Sequence, residues 1–123
     1  MRFRVLTLTL ALLGLAAAPA LAKDGDIERA GTCSGATSAE LKLSEENGRI
    51  EVEFEVDQNR NGVRWQVVLK RNGTKFATAS RTTGGASGSF ELRRVISGGA
   101  GTKVTARAVS PSGETCSASA TFA

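Results

Sequence analysis

From Ala39 to the C-terminus, apolar residues recur at every second position, and a period of two over short runs folds as half-buried β-strands. Ile50, Val52, Phe54 and Val56 alternate with Glu51, Glu53, Glu55 and Asp57. Ala39, Leu41 and Leu43 alternate with Glu40, Lys42 and Ser44, and Val63, Trp65, Val67 and Leu69 with Arg64, Gln66, Val68 and Lys70. The third run stops at Asn72-Gly73, a dipeptide suited to the positive φ angles of a two-residue type I′ turn. A partner strand is therefore predicted over 74–81, with Phe76 and Thr78 facing inward. Phe90 and Leu92 open another strand that reaches Ile96. Arg94 and Val95 blur its inner face, which predicts a bulge near Arg93 or Arg94. Val104, Ala106 and Ala108 form the next strand, and Cys116, Ala118, Ala120 and Phe122 the last. No stretch carries a helical period.

Seven short strands with turn signals between them predict an all-β fold, a seven-stranded antiparallel sandwich of the immunoglobulin-like or fibronectin type III-like kind, over 36–123. Trp65 on the third strand matches the usual core tryptophan of such sandwiches; a tyrosine corner is impossible in a chain without tyrosine. Residues 23–35 are polar and glycine-bearing and read as a flexible N-terminal arm. Residues 1–22 read as a signal peptide: Arg2 and Arg4, then an apolar run from Val5 to Ala18, then Ala20-Leu21-Ala22 as a cleavage site. That run is shorter than the roughly 20 residues needed to cross a bilayer. Secretion is expected, with no membrane insertion after processing.

In an oxidising compartment Cys33 and Cys116 are expected to form one disulfide that closes most of the exported chain. The chain-entropy model gives a loop of this length roughly 4 to 5 kcal/mol. In a sandwich of this kind the first and last strands can run parallel near one another, which would bring two cysteines at their starts to the same end. The competing reading, a free or metal-binding thiol pair, has neither histidine nor CxxC spacing to support it.

Elimination narrows the chemistry. Without histidine, Ser-His-Asp and Cys-His nucleophiles and imidazole metal sites are excluded. The stripe Glu51, Glu53, Glu55 and Asp57 reads as a solvated face balanced by Lys42 and Arg93 on neighbouring strands. Asp57-Gln58-Asn59-Arg60-Asn61-Gly62 matches the first half of an EF-hand calcium loop, but the twelfth position of that register is Val68 rather than glutamate. An Asx-rich turn accounts for the same residues; a weak, partly hydrated calcium site is the alternative. No enzyme, no metal site and no cofactor is expected.

Sixteen Lys and Arg against twelve Asp and Glu leave a small positive balance, and removal of Arg2 and Arg4 with the signal reduces it to about +2. That gives no reason to expect nucleic acid. How the charges divide is more informative. If the first, second and fifth of the seven strands share a sheet, its surface carries Glu40, Glu51, Glu53, Glu55 and Glu91, and the opposite sheet carries Arg64, Lys70, Lys75, Arg81, Lys103 and Arg107. Arg64, Lys70 and Arg107 are the candidate binding face, with an anionic cell-wall polymer or an acidic protein as partner. The competing reading is a charged surface that keeps a small secreted domain soluble.

The runs CSGATSAELKLSEENGRIEVEFEVDQNRNGVRWQVVLKRNG and SGSFELRRVISGGAGTKVTARAVSPSGETC resemble a family of small secreted proteins of unknown function from high-GC Gram-positive bacteria, in their strands, their cysteines and a DQNxNGxxW turn. The resemblance covers Cys33 to the C-terminus and implies a secreted sandwich; it implies no activity. The expected function is a secreted, non-catalytic binding or interaction module. The alternative is a small-ligand carrier or a protease-inhibitor-like secreted sandwich.

Overall fold

Register turns the alternation into two sheets. The computed structural model of the protein describes residues 25–123, so the signal-like segment lies outside the described residues. The strands are β1 (Ile27–Ala30), β2 (Thr32–Cys33), β3 (Ser38–Glu46), β4 (Arg49–Asp57), β5 (Arg64–Arg71), β6 (Thr74–Thr82), β7 (Ser89–Ile96), β8 (Lys103–Val109) and β9 (Thr115–Thr121). One sheet has four strands in the order β1-β3-β4-β7 and the other five in the order β2-β9-β8-β5-β6, and every pairing is antiparallel.

The inward residues of the periodic runs make one core. Leu41, Leu43, Ile50, Val52, Phe54, Val56 and Leu92 from the four-stranded sheet and Trp65, Val67, Leu69, Val104 and Ala108 from the other are all fully buried. Each large aliphatic or aromatic side chain withdrawn from water in this way contributes about 1.5 to 3 kcal/mol. Trp65 belongs to this core. Its ring lies 6.3 Å from that of Phe90, and its indole N–H donates to Gln58 Oε1 at 3.1 Å, so the buried donor is satisfied.

Two hairpins use one turn chemistry. Asn72-Gly73, at φ 48° and 83°, joins β5 to β6 as the sequence predicts, and Asn47-Gly48, at φ 48° and 77°, joins β3 to β4 in the same way. After the first of these turns, β6 departs from expectation. Its register against β5 slips between Leu69 and Lys70: Leu69 faces Ala77 and Lys70 faces Lys75, which leaves Phe76 as an extra residue. The inward phase passes to Ala77 and Ala79. Thr78 faces outward opposite Val68, while Phe76 keeps a half-buried place against the core.

The bulge expected near Arg94 is absent. The β4–β7 register runs unbroken from Ile50 opposite Ile96 to Asp57 opposite Ser89. Arg94 occupies an inward position near the end of β7, half-buried, with Nη1 donating to the carbonyl of Arg93 at 2.8 Å. A long arginine stem can lie along apolar surface while its head reaches polar partners, so no backbone irregularity is needed.

The segment expected as a flexible arm contains two paired strands. β1 adds to the edge of the four-stranded sheet beside β3, and β2 adds to the edge of the five-stranded sheet beside β9. Between them the chain changes sheets at Gly31, whose N–H donates to the carbonyl of Ala39 at 2.7 Å. A Cβ at Gly31 would stand 2.8 Å from the carbonyl oxygen of Ser117 and 3.1 Å from Ala39 Cβ, so the crossing is tight enough to require glycine. The disulfide forms as expected, but its setting differs from a pair of parallel terminal strands. Cys33 and Cys116 stand directly opposite one another on antiparallel neighbours of one sheet, with Cα atoms 4.0 Å apart. The bond ties β2 to β9 within that sheet.

Candidate functional site

The two outer faces differ in how their charges are matched. On the four-stranded sheet, register places Lys42 beside Glu53, and Glu53 beside Arg93. Lys42 Nζ lies 3.0 Å from Glu53 Oε2, and Arg93 Nη2 lies 2.6 Å from Glu51 Oε2. The two cations expected to balance the acidic stripe pair with Glu53 and Glu51, whereas Glu55 and Asp57 have no ion pair among the described residues. A hydrogen bond from Glu53, followed by Arg93, holds the Glu51 carboxyl down at about 2, while the shared hydrogen bond and burial raise that of Glu53. For Lys42, burial pulls the pKa down, but the hydrogen bond and charge of Glu53 outweigh it and leave it raised. The next row, Glu40, Glu55 and Glu91, has three carboxylates side by side. Partial burial and these two neighbours raise the pKa of Glu55.

The five-stranded sheet has no such pairing. Lys70 on β5 stands directly opposite Lys75 on β6, and Arg107 on β8 is opposite Val68, one diagonal step from Lys70. Diagonal cross-strand neighbours are about 7 to 8 Å apart, within reach of long side chains. Among the described residues none of these three cations has an ion-pair or hydrogen-bond partner. They line one side of an open groove of about 740 Å³ on the outer face of this sheet. Thr32, Ser117 and Ser119 line the other side, Thr105 lies between Lys70 and Ser119, and no carboxylate or aromatic ring is among the lining residues. Like charges directly opposed across strands are destabilising. The groove therefore carries an uncompensated positive cluster beside a strip of hydroxyls.

Of the three residues expected to form a binding face, Lys70 and Arg107 meet in this groove. Arg64 lies outside its lining, at the start of β5, where Nη2 donates to Ser80 Oγ at 3.4 Å. Lys75 joins the pair because the bulge at Phe76 brings it opposite Lys70. Arg81, expected on the basic surface, instead sits opposite Trp65 in the inward phase and is half-buried. Sequence reading missed the hydroxyl strip. Its signal was the outward set Ser117 and Ser119 alternating with Ala118 and Ala120, but only the docking of β2 brings Thr32 beside Ser117.

The turn after β4 is an Asx turn. Asp57 Oδ1 accepts from the N–H of Asn59 at 3.1 Å, and Gln58 is held by the Trp65 indole at its side chain and by the carbonyl of Gly88 at its N–H. Of the residues at ligand positions in the half calcium loop, these bonds engage the side chain of Asp57 and the backbone N–H of Asn59. Among the described residues no helix is long and apolar enough to cross a membrane. No family model, curated protein or solved structure matches the chain.

Proposed function

We propose that the protein is a secreted, non-catalytic binding module with a fibronectin type III-like build, and that the groove on its five-stranded sheet takes an anionic partner. The strand orders β3-β4-β7 and β9-β8-β5-β6 support that build, with β1 and β2 as edge additions. The Cys33–Cys116 bond supports an oxidising, extracellular setting. One observation carries the binding assignment: Lys70, Lys75 and Arg107 converge without a counter-ion, whereas Lys42 and Arg93 on the opposite face are both neutralised. Maintaining unpaired like charges side by side costs stability that a merely soluble surface need not lose.

Retention on an anionic column tests the assignment. Lys70→Gln with Arg107→Gln and Lys42→Gln with Arg93→Gln change net charge equally, yet only the first pair is expected to abolish retention. Screening shortens from about 10 Å at 0.1 M salt to about 3 Å at 1 M, so binding should also vanish at high salt. Equal loss from both pairs would reduce the groove to part of a general charge effect. The second reading, a small-ligand carrier, draws on the groove volume of about 740 Å³, a size common among small-molecule sites. Its open, cationic lining favours the first.

A further inference from the structure

The groove reading leaves open what kind of anion is bound, and the lining narrows it. The cations sit on β8, β5 and β6, while the hydroxyls sit on β2, β9 and β8. Strands are spaced about 4.8 Å apart, so the groove spans about 19 Å from β2 to β6; Arg107 stands directly beside Ser117, while Lys70, at the centre of the cluster, lies about 14 Å from the strand that carries Thr32. A single compact ion would occupy only the cationic side. An extended chain, crossing the strands, would place a charged group at one side and a neighbouring uncharged, polar unit at the other.

The chemistry of that polar unit follows from the floor. Thr32, Thr105, Ser117 and Ser119 have no side-chain hydrogen bond within the protein among the described residues, so their hydroxyls are available both to donate and to accept. A polyol satisfies such a strip. An acidic polypeptide fits it less well, because protein partners are held by large buried anchors and the only sizeable aliphatic side chain in the lining is Val68. Single-stranded nucleic acid needs aromatic rings for its bases, and carbohydrate rings gain from similar apolar platforms; the lining has none. On the cationic side, two ammonium groups act as point charges and a guanidinium supplies a fork of donors, a combination that suits phosphate oxygens.

We propose that the groove holds a phosphodiester-linked polyol chain, one phosphate seated among Lys70, Lys75 and Arg107 and the adjoining hydroxylated unit along Thr32, Thr105, Ser117 and Ser119. This rests on the groove being the binding site.

Calorimetric titration of the disulfide-bonded protein at 0.1 M salt tests it with three chains of matched charge number: poly(glycerol phosphate), poly-L-glutamate and oligothymidylate. Poly(glycerol phosphate) is expected to bind at least tenfold more tightly than either of the others. Ser117→Ala with Ser119→Ala should erase that advantage while leaving the weaker binding of poly-L-glutamate unchanged. Lys70→Gln with Lys75→Gln should weaken all three. Unchanged Trp65 fluorescence in each variant establishes that the fold is intact. If poly-L-glutamate or oligothymidylate binds as tightly as poly(glycerol phosphate), or if the serine variant keeps the tenfold preference, the polyol phosphate assignment is overturned while an anion-binding groove stands. If none of the three binds, both fail.

Discussion

The outer faces of the two sheets are built from the same alternation, yet they resolve their charges in opposite ways. On the four-stranded sheet Lys42 and Arg93 fall next to Glu53 and Glu51 and form ion pairs at 3.0 and 2.6 Å. On the five-stranded sheet Lys70 falls next to Lys75, with Arg107 one diagonal step away and no acid in the groove. No strand of the five-stranded sheet contains an Asp or Glu, whereas β3 and β4 carry several. Register then decides which cations meet, because a strand shifted by one residue against its neighbour exchanges every facing partner. The single bulge at Phe76 is what sets one lysine against another.

Four perturbations break or sharpen the contrast. The largest expected effect comes from Cys33→Ala with Cys116→Ala, which releases a linkage across 83 residues and should cost about 4 to 5 kcal/mol. A fall of many degrees in melting temperature is expected. Because β2 holds Thr32 at the groove, polyanion binding should weaken further than the residual folded fraction accounts for. A loss of binding that merely tracks unfolding would mean that β2 is no part of the site.

Trp65→Ala removes the largest side chain of the shared core and should cost about 3 to 5 kcal/mol. It affects both faces through the same interior, so urea unfolding followed from either sheet should show one transition at a lower midpoint. Two separated transitions would show that the sheets are not one cooperative unit.

Lys70→Glu inverts the contrast. It replaces a lysine pair with an opposite-charge pair facing Lys75, and cross-strand pairs of this kind contribute about 0.2 to 1 kcal/mol. Thermal stability should rise while retention on an anionic column is lost. A variant that is destabilised at low salt would contradict the placement of Lys70 opposite Lys75.

The smallest effect probes the row Glu40, Glu55 and Glu91. The folded-state pKa of Glu55 is raised above its ordinary 4.5, through partial burial and then the charges of Glu91 and Glu40. The folded protein therefore holds this proton more tightly than the unfolded chain. The resulting stabilisation is present below pH 4.5 and is lost as pH rises through the raised value. Glu55→Gln should accordingly raise the melting temperature at pH 7 relative to the parent, and that advantage should disappear near pH 4. A difference that is independent of pH would assign it to packing instead.

The strands were readable because each inward side chain sits two residues from the next, and Asn72-Gly73 supplied the backbone chemistry of its turn. β1 and β2 were not, because they are short and most of their residues stay exposed. Their pairing depends on edges formed by residues far along the chain, and on the absence of a side chain at Gly31. Thr78 and Arg94 were misjudged for opposite reasons. A bulge carries no local signature when the residues around it are small, and an arginine in an inward position looks like an irregularity until the length of its stem is considered. For the groove, Lys70 and Arg107 could be assigned to one surface from alternation alone. Their meeting with Lys75 and the hydroxyls required the register of four neighbouring strand pairs.

The chain crossing at Gly31 also governs how copies of the molecule can associate. By lying against both sheets, the segment from Ile27 to Cys33 occupies their edges on one flank, with strands of four and two residues. The opposite flank presents β6 and β7, of nine and eight residues, as the long free edges. Edge-to-edge growth into a continuous fibre needs two receptive flanks on every copy. Among the described residues, the long edges of this sandwich therefore lie on one flank only, and pairing across β6 or β7 leaves strands of just four and two residues at the edges of the other flank.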